Sequence, residues 1–181
     1  VKGDGAIVLI DTGLDENDLS VINQTLHTWG LDQFPISHVL ITHAHFDHAG
    51  NAFALRRRGA QIVAGPGDAE GIEQGDDRTI PYAYGRKFPA CPVGLRVKEG
   101  DLVHAAGLDF QVIHVPGHSG GSVFYRLVNQ GRVVLFTGDT LHVGHNCESA
   151  LLGWTGGIDY DRQAYLQSLA RCARLEADVI L

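Results

Sequence analysis

Apolar positions in this chain recur in two rhythms. Short runs at 6–10, 39–41 and 62–64 read as strands. Between the first two, Leu19, Ile22 and Leu26 fall at helical spacing within 15–29, a helix stopped by Gly30. Further helices are expected over about residues 51–58 and in a short stretch after Pro66. Beyond residue 95 strands follow one another closely, at 96–97, 102–103, 110–115, 123–127 and 133–136, and are expected to be mostly antiparallel. The last strong helix covers 161–175, and 179–181 begins another strand. Alternating helices and strands followed by a meander predict an α/β layered fold. The pattern breaks between about 76 and 92, where Pro81, Tyr82, Tyr84, Gly85, Arg86, Lys87, Phe88 and Pro89 make an aromatic, basic, proline-marked loop. It either covers a site or is a surface loop anchored by its aromatics.

Composition narrows the class. At 181 residues one core is expected. No apolar run approaches the roughly 20 residues that span a membrane. The formal net charge of −7 argues against a surface that coats nucleic acid. The one basic run, Arg56-Arg57-Arg58, precedes Gly59 and reads as cations at a helix C-terminus. Cys91, Cys147 and Cys172 are odd in number and form no C-x-x-C pair, which favours a reducing, cytoplasmic setting. Cys147 reads as an ordinary packed or surface cysteine. Oligomeric state leaves no signal.

The chemistry is concentrated at 42–50, Thr-His-Ala-His-Phe-Asp-His-Ala-Gly. His43, His45, Asp47 and His48 follow an apolar strand, where a rigid element gives way to a loop. His43 and His45, two apart, point the same way in extended chain. Asp47 and His48 follow a turn and are expected at the start of a helix near Gly50. Four donors in six residues fit two adjacent ions better than one tetrahedron, and imidazole with carboxylate suits zinc, iron or copper. Two later segments share the same grammar. Val115-Pro116-Gly117-His118 ends one apolar strand, and Val133–Phe136, Thr137, Gly138 and Asp139 end another.

His43, His45, Asp47, His48, His118 and Asp139, in that order and spacing, resemble the metallo-β-lactamase-fold hydrolases, in particular the glyoxalase II-like and lactonase-like branch. Val8-Leu9-Ile10-Asp11-Thr12-Gly13 is similar to the family's early strand and turn. The resemblance implies a single domain over 1–181, a four-layer αβ/βα sandwich of two mixed sheets with helices outside. It implies that His43, His45 and His118 hold one metal, Asp47 and His48 a second, and that Asp139 bridges them. The ions would be zinc, with iron or manganese as alternatives. The family supplies one more histidine from a turn after a late strand. This sequence stops at Ala177–Leu181, which looks like that strand, and it opens at Val1 without initiator Met, so the first strands and the C-terminal end are expected to lie outside it.

Two divalent ions against ionised Asp47 and Asp139 leave a field that favours hydroxide over water. A hydroxide between the ions would attack a thioester, lactone or related small ester, with Asp47 as the catalytic group that orients it and takes its proton. The alternatives are β-lactam amide hydrolysis, a mononuclear iron dioxygenase acting on a persulfide, and a non-catalytic metal scaffold. A nuclease is disfavoured by the acidic balance. Asp11 either orients the histidine loop or merely forms the turn beside Thr12-Gly13. His27 reads as an exposed helix residue, His38 as opening a strand, His104 as a turn residue, and His114 as structural. His142 and His145 read as satisfied loop histidines rather than groups that reach the substrate. Ser119 and Ser122 are expected to serve the turn at His118, and the segment 144–157, with His145, Glu148 and Trp154, to lie near the metals.

Overall fold

The computed structural model describes residues 1–143 and 150–181, so the readings made for His145, Cys147 and Glu148 lie outside the described residues. The first half is a run of strand–helix–strand units. Strand β1 (Ile7–Ile10) leads into helix α1 (Glu16–Thr28), β2 (Ile36–Leu40), the short helices α2 (Phe46–Ala49) and α3 (Ala52–Arg57), β3 (Gln61–Ala64), α4 (Pro66–Gln74) and α5 (Pro81–Tyr84), and then β4 (Leu95–Arg96). A 3-10 turn, Asp77–Thr79, precedes α5. Asp15 caps α1 by accepting from the Asn17 amide, and Gly30 turns the chain out with φ of +65°. These four strands form one sheet in the order β1-β2-β3-β4, every pair parallel, as helical crossovers require.

The meander follows as β5 (Leu102–Ala105), β6 (Leu108–His114), β7 (Val123–Asn129) and β8 (Arg132–Phe136). After helix α6 (Arg162–Cys172), strand β11 (Val179–Ile180) joins the far edge, giving the order β11-β8-β7-β6-β5. Pairs among β5 to β8 are antiparallel and β11 lies parallel to β8, so this sheet is mixed and the first one is not. A small hairpin, β9 (His142–Val143) with β10 (Ala150–Leu151), was not expected from the sequence. Nor was β4, read as part of the meander, expected to pair with β3 in the first sheet.

Side-chain alternation sorts the strands into layers. Val39 and Ile62 point to a core beneath α1, α3 and α4, where they meet Leu19, Leu55 and Ile72. Their neighbours Leu40 and Val63 point the other way, onto Val112, Val123 and Tyr125 of the second sheet. On the outer face of that sheet, Ile113, Phe124 and Leu135 pack toward Cys172, the last residue of α6, and Leu175 just beyond it. The order is helices, sheet, sheet, helix: the four-layer αβ/βα sandwich. Each fully buried aliphatic or aromatic side chain contributes about 1.5–3 kcal/mol. The sheets therefore act as rigid mounts, and the loops that carry the chemistry leave the C-terminal ends of β1, β2, β6 and β8.

Candidate metal centre

The histidine loop is held from both sides. Its amide at Thr42 donates to Asp11 Oδ1 at 2.7 Å, and the Thr42 hydroxyl to Asp11 Oδ2 at 2.7 Å. The Ala44 amide, between the two buried histidines, donates to Asp68 Oδ2 at 2.8 Å. Helix α2 begins at Phe46 with His45 as its N-cap, earlier than the start expected near Gly50. Asp47 and His48 therefore sit in its single turn. The His48 carbonyl accepts from the Thr12 amide at 2.6 Å and hydroxyl at 2.9 Å, while the buried Asn51 amide group reaches Thr12 O and Asp15 O. The turn is thus sewn to the end of β1.

Backbone shape places the two distant residues. Gly117, at φ +130°, lets the chain before His118 run against α6: a Cβ there would lie 2.2 Å from Tyr165 N. Gly138, at φ +49°, brings the chain before Asp139 within reach of Thr42, whose Oγ1 would be 2.4 Å from a Cβ. Ser119 and Ser122 do serve the His118 turn, their hydroxyls 2.6 Å apart, and Ser119 Oγ donates to Asp68 Oδ2 at 2.7 Å. The Gly121 amide donates to Asp68 Oδ1 at 2.8 Å. Asp68, wholly buried, thereby joins the His43–His45 segment to the His118 turn.

Four imidazoles converge. The His43 ring centroid is 4.6 Å from that of His45, 4.1 Å from His48 and 4.6 Å from His118, and His45 is 4.5 Å from His118. Donor atoms of His43, His45 and His118 lie within 4.8 Å of one another, and so do those of His43, His48 and Asp139. Asp139 Oδ1 is 3.1 Å from His48 Nε2, and Oδ2 is 3.9 Å from His118 Nε2. Asp47 stands further out: its nearest approach to these donors among the described contacts is 3.8 Å, from Oδ2 to His48 Nε2.

The donors fit a cation. Nε2 of His43, His45 and His118 are buried without any hydrogen-bond partner among the described residues. An unmet buried polar atom costs about 1–3 kcal/mol, which an electrophile accepting the three lone pairs would offset. Burial, with neighbouring imidazoles adding to it, holds His43 well below the ordinary histidine range and His45 down at about 3. Burial also lowers His118. All three are thus neutral, the form that ligates. His48 differs. Burial works against its charge, but Asp11, 2.8 Å from Nδ1, and Asp139 outweigh it and push it up to about 11. Burial likewise works against the Asp139 charge, and the His48 hydrogen bond and charge overcome it, leaving Asp139 at about 2.

Beside this cluster opens a cavity of about 310 Å³, lined by His45, Asp47 and Asp139 on one side and by Ile80, Ala83, Tyr84 and Trp154 on the other. The 76–92 segment divides between its two readings. Phe88 is an anchor, buried against Phe46 at 5.1 Å between centroids, whereas Tyr84 faces the cavity. Trp154, from the segment expected near the metals, has its ring centroid 6.0 Å from that of His45. His27 is exposed on α1, His38 lies inside β2 rather than opening it, and His104 lies in β5 rather than in a turn. His114 Nε2 is 3.2 Å from Gly120 O. The reading of the sequence missed Asp68, which has no motif of its own. His142, read as a loop residue, lies in β9 with its Nε2 3.3 Å from Asp139 Oδ1.

A family model described as the metallo-beta-lactamase superfamily matches residues 1–181. A hydroxyacylglutathione hydrolase from Pseudomonas paraeruginosa is 34% identical over 143 residues, which is 79% of this chain and 45% of that protein. The human acyl-coenzyme A thioesterase MBLAC2 is 29% identical over 180 residues, covering 85% of this chain and 59% of its own length. The chain thus spans about half the length of the curated relatives it matches. Among solved structures, BJP-1, a subclass B3 metallo-beta-lactamase of Bradyrhizobium japonicum, superposes with a TM-score of 0.78 at 28% identity, over 100% of this chain and 68% of that one. No helix among the described residues is long and apolar enough to cross a membrane.

Proposed function

The chain belongs to the metallo-beta-lactamase superfamily, and from that premise we propose that it is a metal-dependent hydrolase of a small thioester. The carrying observation is the pair of donor groups that share His43, set at the edge of a cavity whose far wall is apolar. His43, His45 and His118 would hold one ion; His48, with Asp47 at its side, would hold the second; Asp139, between His48 and His118, would touch both. Bound there, two divalent ions would polarise a carbonyl and bring the pKa of a water from about 15.7 to about 7.

The protein's own groups supply the rest. Asp47, with 41% of its side chain exposed, is the carboxylate free to accept a proton from the attacking water and release it to solvent. The Tyr84 phenol, pushed up to about 12 by burial and by the neighbouring Asp47 carboxylate, stays protonated and can donate to that carboxylate. Ile80, Ala83 and Trp154 would exclude water around the acyl group. The hydroxyacylglutathione hydrolase and acyl-coenzyme A thioesterase relatives favour a thioester within the wider class of esters and lactones. The likeness to a subclass B3 enzyme favours, as a second reading, an amide of the β-lactam type.

The test is a panel of a hydroxyacylglutathione, a short acyl-coenzyme A, a lactone and a β-lactam, run on metal-loaded chain with metal content measured. Two zinc ions and preferential thioester turnover are expected. Preferential β-lactam turnover would install the second reading. One iron with oxygen consumption on a persulfide, or no bound metal, would overturn both.

A further inference from the structure

We propose that His142 is a further ligand of the second ion, on the His48 side of the centre. The proposal rests on the two-ion reading above and is independent of the substrate. It begins with one oxygen. Asp139 Oδ1 lies between two imidazole nitrogens, 3.1 Å from His48 Nε2 and 3.3 Å from His142 Nε2. The other oxygen, Oδ2, faces His118 at 3.9 Å. The carboxylate therefore turns one atom toward each half of the centre, and His142 stands on the His48 side.

The His142–Asp139 separation is that of two ligands sharing an ion, although His142 lies outside the donor group of His43, His48 and Asp139 that falls within 4.8 Å. Zinc takes nitrogen at about 2.0–2.1 Å and carboxylate oxygen at about 2.0–2.2 Å, so two donors of one tetrahedron are roughly 3.3–3.5 Å apart. A charge-assisted hydrogen bond between imidazole and carboxylate is shorter, about 2.7–2.9 Å. The surface pair His27–Asp32 has that shorter length, 2.8 Å, and the exposed pair His104–Asp109 is at 2.5 Å. The His142–Asp139 separation belongs to the first class.

The segment that carries His142 is fixed at both ends. Tyr165 OH donates to Thr140 O at 3.0 Å, and Thr137 Oγ1 donates to Leu141 O at 2.9 Å. Beyond them, His142 pairs with Leu151 across the β9–β10 hairpin. The imidazole is 44% exposed and borders a cavity of about 510 Å³ that also touches Asp11, Thr42, His48 and Asp139.

The experiment titrates metal-stripped chain with Co2+, following stoichiometry by calorimetry and coordination by visible absorption. The unaltered chain should take up two ions. His142→Ala should leave the first ion's affinity and spectrum in place, weaken the second by about tenfold or more, and alter only the absorption gained with the second ion. Removing even a group that orients a ligand costs 10- to 100-fold in affinity, so a direct ligand costs no less. His104→Ala, which removes an exposed histidine paired to an aspartate, should change neither ion. Three results would overturn the proposal: unchanged second-ion affinity in His142→Ala, equal weakening of both ions with a lowered melting temperature, or uptake of one ion by the unaltered chain. Absence of thioester turnover with two ions bound would count against the substrate reading alone.

Discussion

Asp11 adopts φ of +55°, a region that costs a non-glycine residue on the order of 1 kcal/mol, and it does so where its carboxylate faces three donors. One of these is His48 Nδ1 at 2.8 Å, an arrangement that fixes the tautomer and leaves Nε2 aimed at Asp139. Asp11→Asn isolates this role, because asparagine tolerates the same backbone conformation. It keeps the shape but puts an amide where a carboxylate held His48 and Thr42. Metal titration should show the His48-side ion weakened about 10- to 100-fold and the His43–His45–His118 ion little changed. Equal affinities for both proteins would reduce Asp11 to a turn former. The candidate donors were legible because six of them fall in three short motifs, and density of imidazole has no packing explanation; of the six, Asp47 stands outside the two groups the fold draws together. The residues that hold them were less legible. Asp68 acts on Ala44 and on Ser119, 24 and 51 positions away, and nothing in its own neighbourhood announces a buried carboxylate. Asp11 was visible but ambiguous, since a turn-forming aspartate and an orienting one look alike until the fold brings Thr42 and His48 to it.

At the level of elements, the His118 turn and α6 are a single fitted unit. Asp161 caps α6 by accepting from the amides of Gln163 and Ala164, while its own amide donates to Gly117 O at 2.9 Å. Ser168, one face further along, donates to Pro116 O at 2.7 Å. Gly117→Ala would drive a Cβ to 2.2 Å from Tyr165 N and 2.3 Å from Tyr165 Cα, both backbone atoms that cannot step aside. Gly30→Ala is the control: φ is also positive, +65°, but nothing lies within 4 Å of its Cβ. Urea unfolding should find Gly30→Ala weakened by about 1 kcal/mol and Gly117→Ala by about 2–4 kcal/mol, with metal affinity lost as well in the latter. Equal midpoints would mean that α6 does not seat the His118 turn. The elements most visible in the sequence were those with local signals: α1 with its aspartate cap, and β6 to β8 with their alternation. Strand β4 was misplaced because its partner, β3, lies some thirty residues earlier and parallel pairing leaves no hairpin turn to read. Strand β2 begins at Ile36, earlier than expected, because Ser37 and His38 break the apolar run while still filling strand positions.

For the molecule as a whole, the centre sets how stability responds to pH and metal. In metal-stripped chain, His45 titrates near 3 against an ordinary 6.5, and burial lowers His43 and His118 in the same direction. Between these limits the unfolded chain binds protons that the folded one refuses. That stability is fully present above about 6.5 and is lost as pH falls. His48 runs the opposite way: raised from 6.5 to about 11, it contributes stability that is present below 6.5 and lost as pH rises toward 11. The metal-stripped chain should therefore be most stable near neutrality and weaker on both sides. Metal changes the balance, because ions compete with protons for Nε2 and stabilise the fold by about 2.7 kcal/mol at a hundred times Kd. Urea midpoints at about pH 4.5, 6.5 and 9 should fall on both sides of neutrality without zinc, whereas with zinc the alkaline loss should disappear and the acid loss remain. His48→Gln without metal should flatten the alkaline side, and His45→Gln the acid side, whereas lysines, tyrosines and surface carboxylates would keep their slopes in both variants. Metal-stripped stability that changed in one direction across the range, or limbs untouched by these two substitutions, would show that the imidazoles do not carry the charge states on which convergence around a cation depends.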